Sequence, residues 1–90
     1  MSIGTQARFE SFIQTEKKLR KQLILYVVGE GEYTAREIAL RLGFRDMNAV
    51  RPRITELVKS GKLIEAYATK DARTGRKVTV YAKAPAQLQL

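Results

Sequence analysis

Apolar positions recur every three or four residues from the N-terminal region to about Ser60, and every second residue after Gly61. The chain therefore reads as helices followed by strands. From Gln6 to Val28 there is neither proline nor glycine, and Phe9, Phe12, Ile13, Leu19, Leu23, Ile24, Tyr26 and Val27 recur at helical spacing. A small helical core needs only about Lys17 to Val28 of this stretch. Residues 1–16 are expected to form an N-terminal helical extension, either continuous with that helix or separate from it. The run Gly29-Glu30-Gly31-Glu32 ends the pattern, because paired glycines make continuation of a helix costly. Tyr33 then suits a brief edge strand.

Thr34-Ala35-Arg36-Glu37 reads as a capping box, in which the Thr34 hydroxyl accepts from the Glu37 N–H and the Glu37 carboxylate reaches back to the Thr34 N–H. A helix is expected from Ala35, with Ala35, Ile38, Ala39 and Leu42 on one face and Gly43 supplying the left-handed residue that ends it. Phe44 can plug the following turn, and Asp46 or Asn48 can cap the next helix. Met47, Val50, Ile54, Leu57 and Val58 form the apolar stripe of that helix, and Gly61 closes it. Pro52 constrains its start, since proline is tolerated in a helix only in the first turn. The helix should begin near Asn48 or Ala49, or else be kinked.

Lys62–Thr69 and Lys77–Lys83 carry the alternation and β-branched content of strands, and Thr74-Gly75 is a turn signal in the polar loop between them. The two strands read as a hairpin. The 84–90 tail holds Pro85 and no charge, and is expected to be a flexible, extended end. The fold class expected is α+β: a three-helix core with a β-hairpin over residues 17–83, preceded by the 1–16 extension.

Charge changes this picture from architecture toward a partner. Seventeen Lys and Arg against nine Asp and Glu give a net charge of +8, with a pI near 10.1, and such a field concentrates polyanions. Lys17, Lys18, Arg20 and Lys21 form one cluster; Lys70, Arg73, Arg76 and Lys77 form another, interrupted only by Asp71. The absence of cysteine and histidine rules out disulfides and thiolate or imidazole metal sites. No metal or cofactor is expected. Asp46 and Asp71, the only aspartates, fall in loops, so the inventory for catalysis is poor and the chain is expected not to be an enzyme. No segment approaches a membrane span and the N-terminus lacks the features of a signal peptide, which points to a soluble cytoplasmic protein.

With Val50 facing inward, a helical projection puts Asn48, Pro52, Thr55 and Lys59 on the opposite side of the second helix and Arg51 on its edge. Asparagine can pair with adenine N6 and N7, arginine with guanine O6 and N7, and threonine can touch a thymine methyl or a phosphate. Asn48 could equally do no more than cap its helix. Arg53 points to the flank, where it would suit a phosphate. At the hairpin tip Arg73, Thr74, Gly75, Arg76 and Lys77 can follow a phosphate backbone or enter a minor groove. Arg36 and Arg41 would contact the backbone if their helix crosses a duplex, or else are ordinary surface residues. Tyr67 and Tyr81 read as core or cross-strand partners.

The segments Thr34–Gly43, Asn48–Ile64 and Thr74–Tyr81 resemble the winged helix-turn-helix DNA-binding domains of bacterial and bacteriophage regulators. The resemblance covers roughly residues 17–83. It implies that the helix containing Asn48 to Ser60 is a recognition helix and the loop from Lys70 to Lys77 a wing. The expected function is then double-stranded DNA binding in a small transcriptional or replication regulator, nucleoid-associated in a bacterium or in the host cytoplasm for a phage. Winged helices also serve as protein-interaction and RNA-associated modules, so a phage-type inhibitor or assembly factor, and then an RNA-binding module, stand as alternatives. Phe9, Phe12, Ile13 and Leu19 could form the seam of a homodimer, or bind another protein.

Overall fold

A computed structural model describes residues 2–85, with side chains from residue 11 onward. The Phe9 side chain and the 86–90 part of the tail lie outside the described residues. In chain order the elements are α1 (Ser2–Val28), β1 (Glu32–Thr34), α2 (Ala35–Arg41), a tight 3-10 turn (Met47–Ala49), α3 (Arg51–Lys59), β2 (Leu63–Lys70) and β3 (Lys77–Lys83). The described residues thus form an α+β fold, three helices with a three-stranded antiparallel sheet in the order β1-β3-β2. No helix among them is long and apolar enough to cross a membrane.

The core sits where the three helices meet the root of the sheet. Ile24 and Val28 of α1, Ile38 and Ala39 of α2, Val50, Ile54 and Leu57 at α3 and Leu63 of β2 are buried together. Full burial of a large aliphatic side chain contributes about 1.5–3 kcal/mol. Ala35, Leu42, Phe44, Met47, Val58 and Tyr81 pack around this cluster, so the stripes expected on α2 and α3 face inward.

α1 behaves differently. It is one continuous helix, so the N-terminal segment extends the core helix without a break. Its apolar residues do not form one stripe, because they occupy two opposite sides of the cylinder and the domain covers only one. Ile24 and Val28 are buried, whereas Phe12, Leu19, Leu23 and Tyr26 stay 63%, 53%, 49% and 84% exposed. The Cα radius of gyration is 15.6 Å, against about 12 Å for a compact chain of this length. The length of α1, about 40 Å at 1.5 Å per residue, explains the excess.

Local chemistry sets the ends of the short helices. The capping box of α2 is formed: the Thr34 N–H donates to Glu37 Oε1 at 2.8 Å and the Glu37 N–H to Thr34 Oγ1 at 3.2 Å. Gly43 ends the segment with φ +84°. Asp46, and not Asn48, supplies the next cap, its Oδ1 accepting from the Asn48 N–H at 2.9 Å. The element that it caps is the 3-10 turn. α3 itself starts at Arg51, two or three residues later than Asn48 or Ala49, with Val50 at its N-cap and no side-chain cap. Pro52 explains the delay: it lies in the first turn of α3, where its missing N–H has no helical partner to lose.

β2 and β3 pair antiparallel from Leu63↔Lys83 to Lys70↔Lys77, with an irregularity between Glu65 and Tyr67. Glu65 opposes Tyr81 and Tyr67 opposes Val80, which leaves Ala66 as an extra, bulged residue. Beyond it the facing of β2 side chains is inverted relative to an unbroken ladder. β1 covers the other edge of β3, with Tyr33 opposite Tyr81.

Candidate nucleic-acid interface

The ion pairs among the described residues lie on the α1–α3 side of the molecule. Arg20 pairs with Glu16 at 3.3 Å, Lys21 with Glu56 at 3.3 Å, and Arg53 with Glu56 at 3.1 Å. Arg20 also donates to the Ala49 carbonyl at 3.2 Å, and its guanidinium stands 4.8 Å from the centre of the Phe44 ring. Half of the first basic cluster of the sequence is therefore committed to holding α1 against the turn and α3.

Arg53 stands on the flank, as expected, and has a protein partner there. Its side chain is 14% exposed and turned toward α1, pinned by Glu56 one helical turn along. A guanidinium held there faces the small cleft formed with Ile13, Glu16, Lys17 and Arg20, away from the open side of α3.

That open side is a groove of about 890 Å³ between α2, the start of α3 and the inner face of the hairpin. Arg36, Arg51, Lys70, Arg76 and Lys77 line it, with Thr55 and Thr74. Three acids line it too, Glu32, Glu37 and Asp71, giving five cations against three anions. Two of those acids are occupied by backbone. Glu37 closes the capping box. Asp71 orders the tip, with Oδ1 accepting from the Arg73 N–H and Oδ2 from the Thr74 hydroxyl, each at 3.2 Å. The Asp71 N–H also donates to the Arg76 carbonyl at 2.8 Å, and the Gly75 N–H to the Asp71 carbonyl at 2.7 Å. Gly75 adopts φ +71°, with open space where a Cβ would stand. The basic tip is thus a hydrogen-bonded turn on which Arg73, Arg76 and Lys77 are exposed. Glu32 lies beside Tyr67, where hydrogen bonding to it and its negative charge raise the phenol above its ordinary 10.0.

The remaining expected site residues divide by position. Arg51, Pro52, Thr55 and Lys59 are exposed on α3, and Asn48 is exposed on the turn before it. The groove gathers Arg51 and Thr55 with Arg36, Thr74, Arg76 and Lys77. Asn48, Pro52, Lys59, Arg73 and Gly75 lie outside its lining. Arg41 belongs to neither set, since it stacks on Tyr33 at 4.5 Å.

Sequence reasoning missed two contributors. Asp71 was visible only as an interruption of a basic cluster, although Asp followed by Thr and Gly is a signal for a side-chain-ordered turn. The second is the bulge at Ala66, which sets Tyr67 opposite Val80 and Thr69 opposite Val78, all four lining the groove. No alternation in the sequence announces it. At the groove wall, burial and the charge of Glu65 raise the Tyr81 phenol above 10.0, while Arg51 and a hydrogen bond with Thr79 act to lower it. Arg51 is therefore close enough to be felt at the sheet. Comparison of the chain with protein-family models, curated proteins and solved structures finds no match.

Proposed function

We propose that the chain is a winged helix-turn-helix protein that binds duplex DNA without catalysing a reaction. α2 and α3 form the helix-turn-helix and the β2–β3 hairpin forms the wing. A small transcriptional or replication regulator acting in the cytoplasm of a bacterium, or of a phage-infected cell, fits this reading. The observation that carries it is the segregation of cations. Arg20, Lys21 and Arg53 are paired with Glu16 and Glu56, whereas Arg51, Arg76 and Lys77 take part in no ion pair among the described residues and border one groove.

The dimensions agree with this use. α3 spans nine residues, about 14 Å at 1.5 Å per residue, and a helix about 10–12 Å across fits a major groove about 12 Å wide. Its first two turns would meet base edges, with Arg51 reading guanine and Thr55 a thymine methyl or phosphate. Asn48, on the preceding turn, would reach the same region, with Pro52 giving a rigid apolar contact. Lys59, Arg36 and the tip residues Arg73, Thr74, Gly75, Arg76 and Lys77 would follow phosphates or an adjacent minor groove. Arg53 leaves the contact set, because its partner is Glu56.

Duplex binding measured as salt rises tests the proposal. Log affinity should fall linearly with log salt, with a slope of about −0.9 for each phosphate contact. A slope near zero, or structured RNA outcompeting duplex DNA at every salt concentration, would overturn it.

A further inference from the structure

The outer side of α1 carries a second apolar face that the domain does not use. Phe12, Leu19, Leu23 and Tyr26 are 63%, 53%, 49% and 84% exposed. They are separated by seven, four and three positions, and Glu16 fills the missing step, so the row 12-16-19-23-26 alternates spacings of four and three. That is the a/d pattern of a coiled coil, in which the partner is another helix of matching period. At 100° per residue the row points about 150° away from the direction of Ile24 and Val28, which are buried in the core. One side of the helix belongs to the domain; the other is a seam without an occupant in a single chain.

Charge along the seam selects that occupant. The chain as a whole carries +8, which opposes self-association. This strip is an exception. One flank holds Thr15 and Gln22 beside the row, with Ser11 and the exposed Lys18 further out at a shared heptad position, the Thr15 hydroxyl donating to the Ser11 carbonyl. Arg20 stands on the other flank and is already paired with Glu16 of the row at 3.3 Å. The apolar area is also adequate. The four side chains leave about 400–500 Å² outside on each copy, taking roughly 150–250 Å² for a whole aromatic side chain. Doubled and joined by the flanking residues, this reaches about 1,000 Å², the lower bound of a specific interface.

We infer that α1 pairs antiparallel with α1 of a second copy of this chain, burying Phe12, Leu19, Leu23 and Tyr26 in a two-stranded coiled coil. Antiparallel pairing centred between Lys17 and Lys18 sets Phe12 against Leu23 of the second copy, and Glu16 against its Leu19. Parallel pairing would instead set Glu16 against its own counterpart and bring two basic domains to the same end of the coil. Ile13 is not part of the seam, since it lines the cleft with Arg20 and Arg53. This pairing does not depend on whether the protein binds DNA.

The test uses the full chain, whose lack of cysteine makes single introduced thiols unambiguous. Sedimentation equilibrium should show a mass approaching twice 10.2 kDa as concentration rises. L19E/L23E should raise the dissociation constant by roughly 100-fold or more, because it buries charge in the seam. L40E, at an equally exposed leucine on α2, should leave the constant unchanged. Circular dichroism checks that each variant folds. Under mild oxidation, F12C mixed with L23C should form a disulfide-linked pair while neither variant alone does so. A chain that stays monomeric at every concentration, or a dimer indifferent to L19E/L23E, overturns the inference. So does efficient linking of F12C to itself, which would mean parallel strands.

Discussion

Two groups of cations on this small molecule have the same chemistry and opposite fates. Arg20, Lys21 and Arg53 meet carboxylates, an aromatic ring and a carbonyl, and join α1 to the rest of the domain. Arg51, Arg76 and Lys77 meet solvent. Arg51 and Arg53 are two residues apart on one helix, so about 200° of rotation is enough to turn a groove-lining charge into a packing element. Counting basic residues therefore overstates the surface available to a polyanion. Net charge belongs to the composition, whereas the number of unpaired cations on one face belongs to the fold.

The largest effect expected from this contrast is at the hairpin. R76A/K77A should lower duplex affinity about 50-fold at 0.1 M salt and make the salt slope shallower by about 1.8, with no change in melting temperature. Unchanged affinity would place the contact surface elsewhere. Next comes the pair on α3. R51A should cost about 1–3 kcal/mol of binding to a preferred sequence, while R53A should leave the salt slope as it was and act on stability. If R53A flattens the slope and R51A does not, the assignment of the two arginines is reversed. E56A is expected to cost about 1–2 kcal/mol in urea unfolding, because it strands Arg53 and Lys21, again without effect on the salt slope.

The smallest effect uses Tyr81 as a reporter. Its phenol is raised by burial and Glu65 and pulled down by Arg51 and Thr79, so R51A should move it slightly further above 10.0 and R53A should not, as read by ultraviolet titration. A raised phenol pKa means that the fold favours the neutral form. Its contribution to stability is present below the ordinary value and is lost as pH rises through the raised one. Y81F should accordingly lack that part of the alkaline loss of stability.

Much of the architecture was legible because local signals agreed with one another. Thr34 and Glu37 announced the start of α2, Gly43 its end, and the spacing of Val50, Ile54 and Leu57 the inner face of α3. The illegible parts depended on competition between neighbours. Pro52 signalled a first turn, yet the residues before it could wind either as α-helix or as the tighter turn that Asp46 caps. For α1 the pattern was richer than one stripe, and periodicity alone could not say which face the domain would take. Ile13 therefore changed sides, and Leu23 and Tyr26 joined the exposed row. For Arg53 the projection gave the direction correctly as a flank, but the partner there, Glu56 on the same helix, is a matter of which rotamers meet.

The bulge at Ala66 has a consequence beyond shaping the groove. β2 is an outer strand of the sheet, eight residues long and exposed along most of its length, and such an edge invites another strand to add to it. An extra residue near its middle breaks the even ladder of donors and acceptors that an incoming strand would need. Lys62 and Lys70 stand at its two ends and repel a like-charged copy. The irregularity thus makes this edge a poor template for an incoming strand.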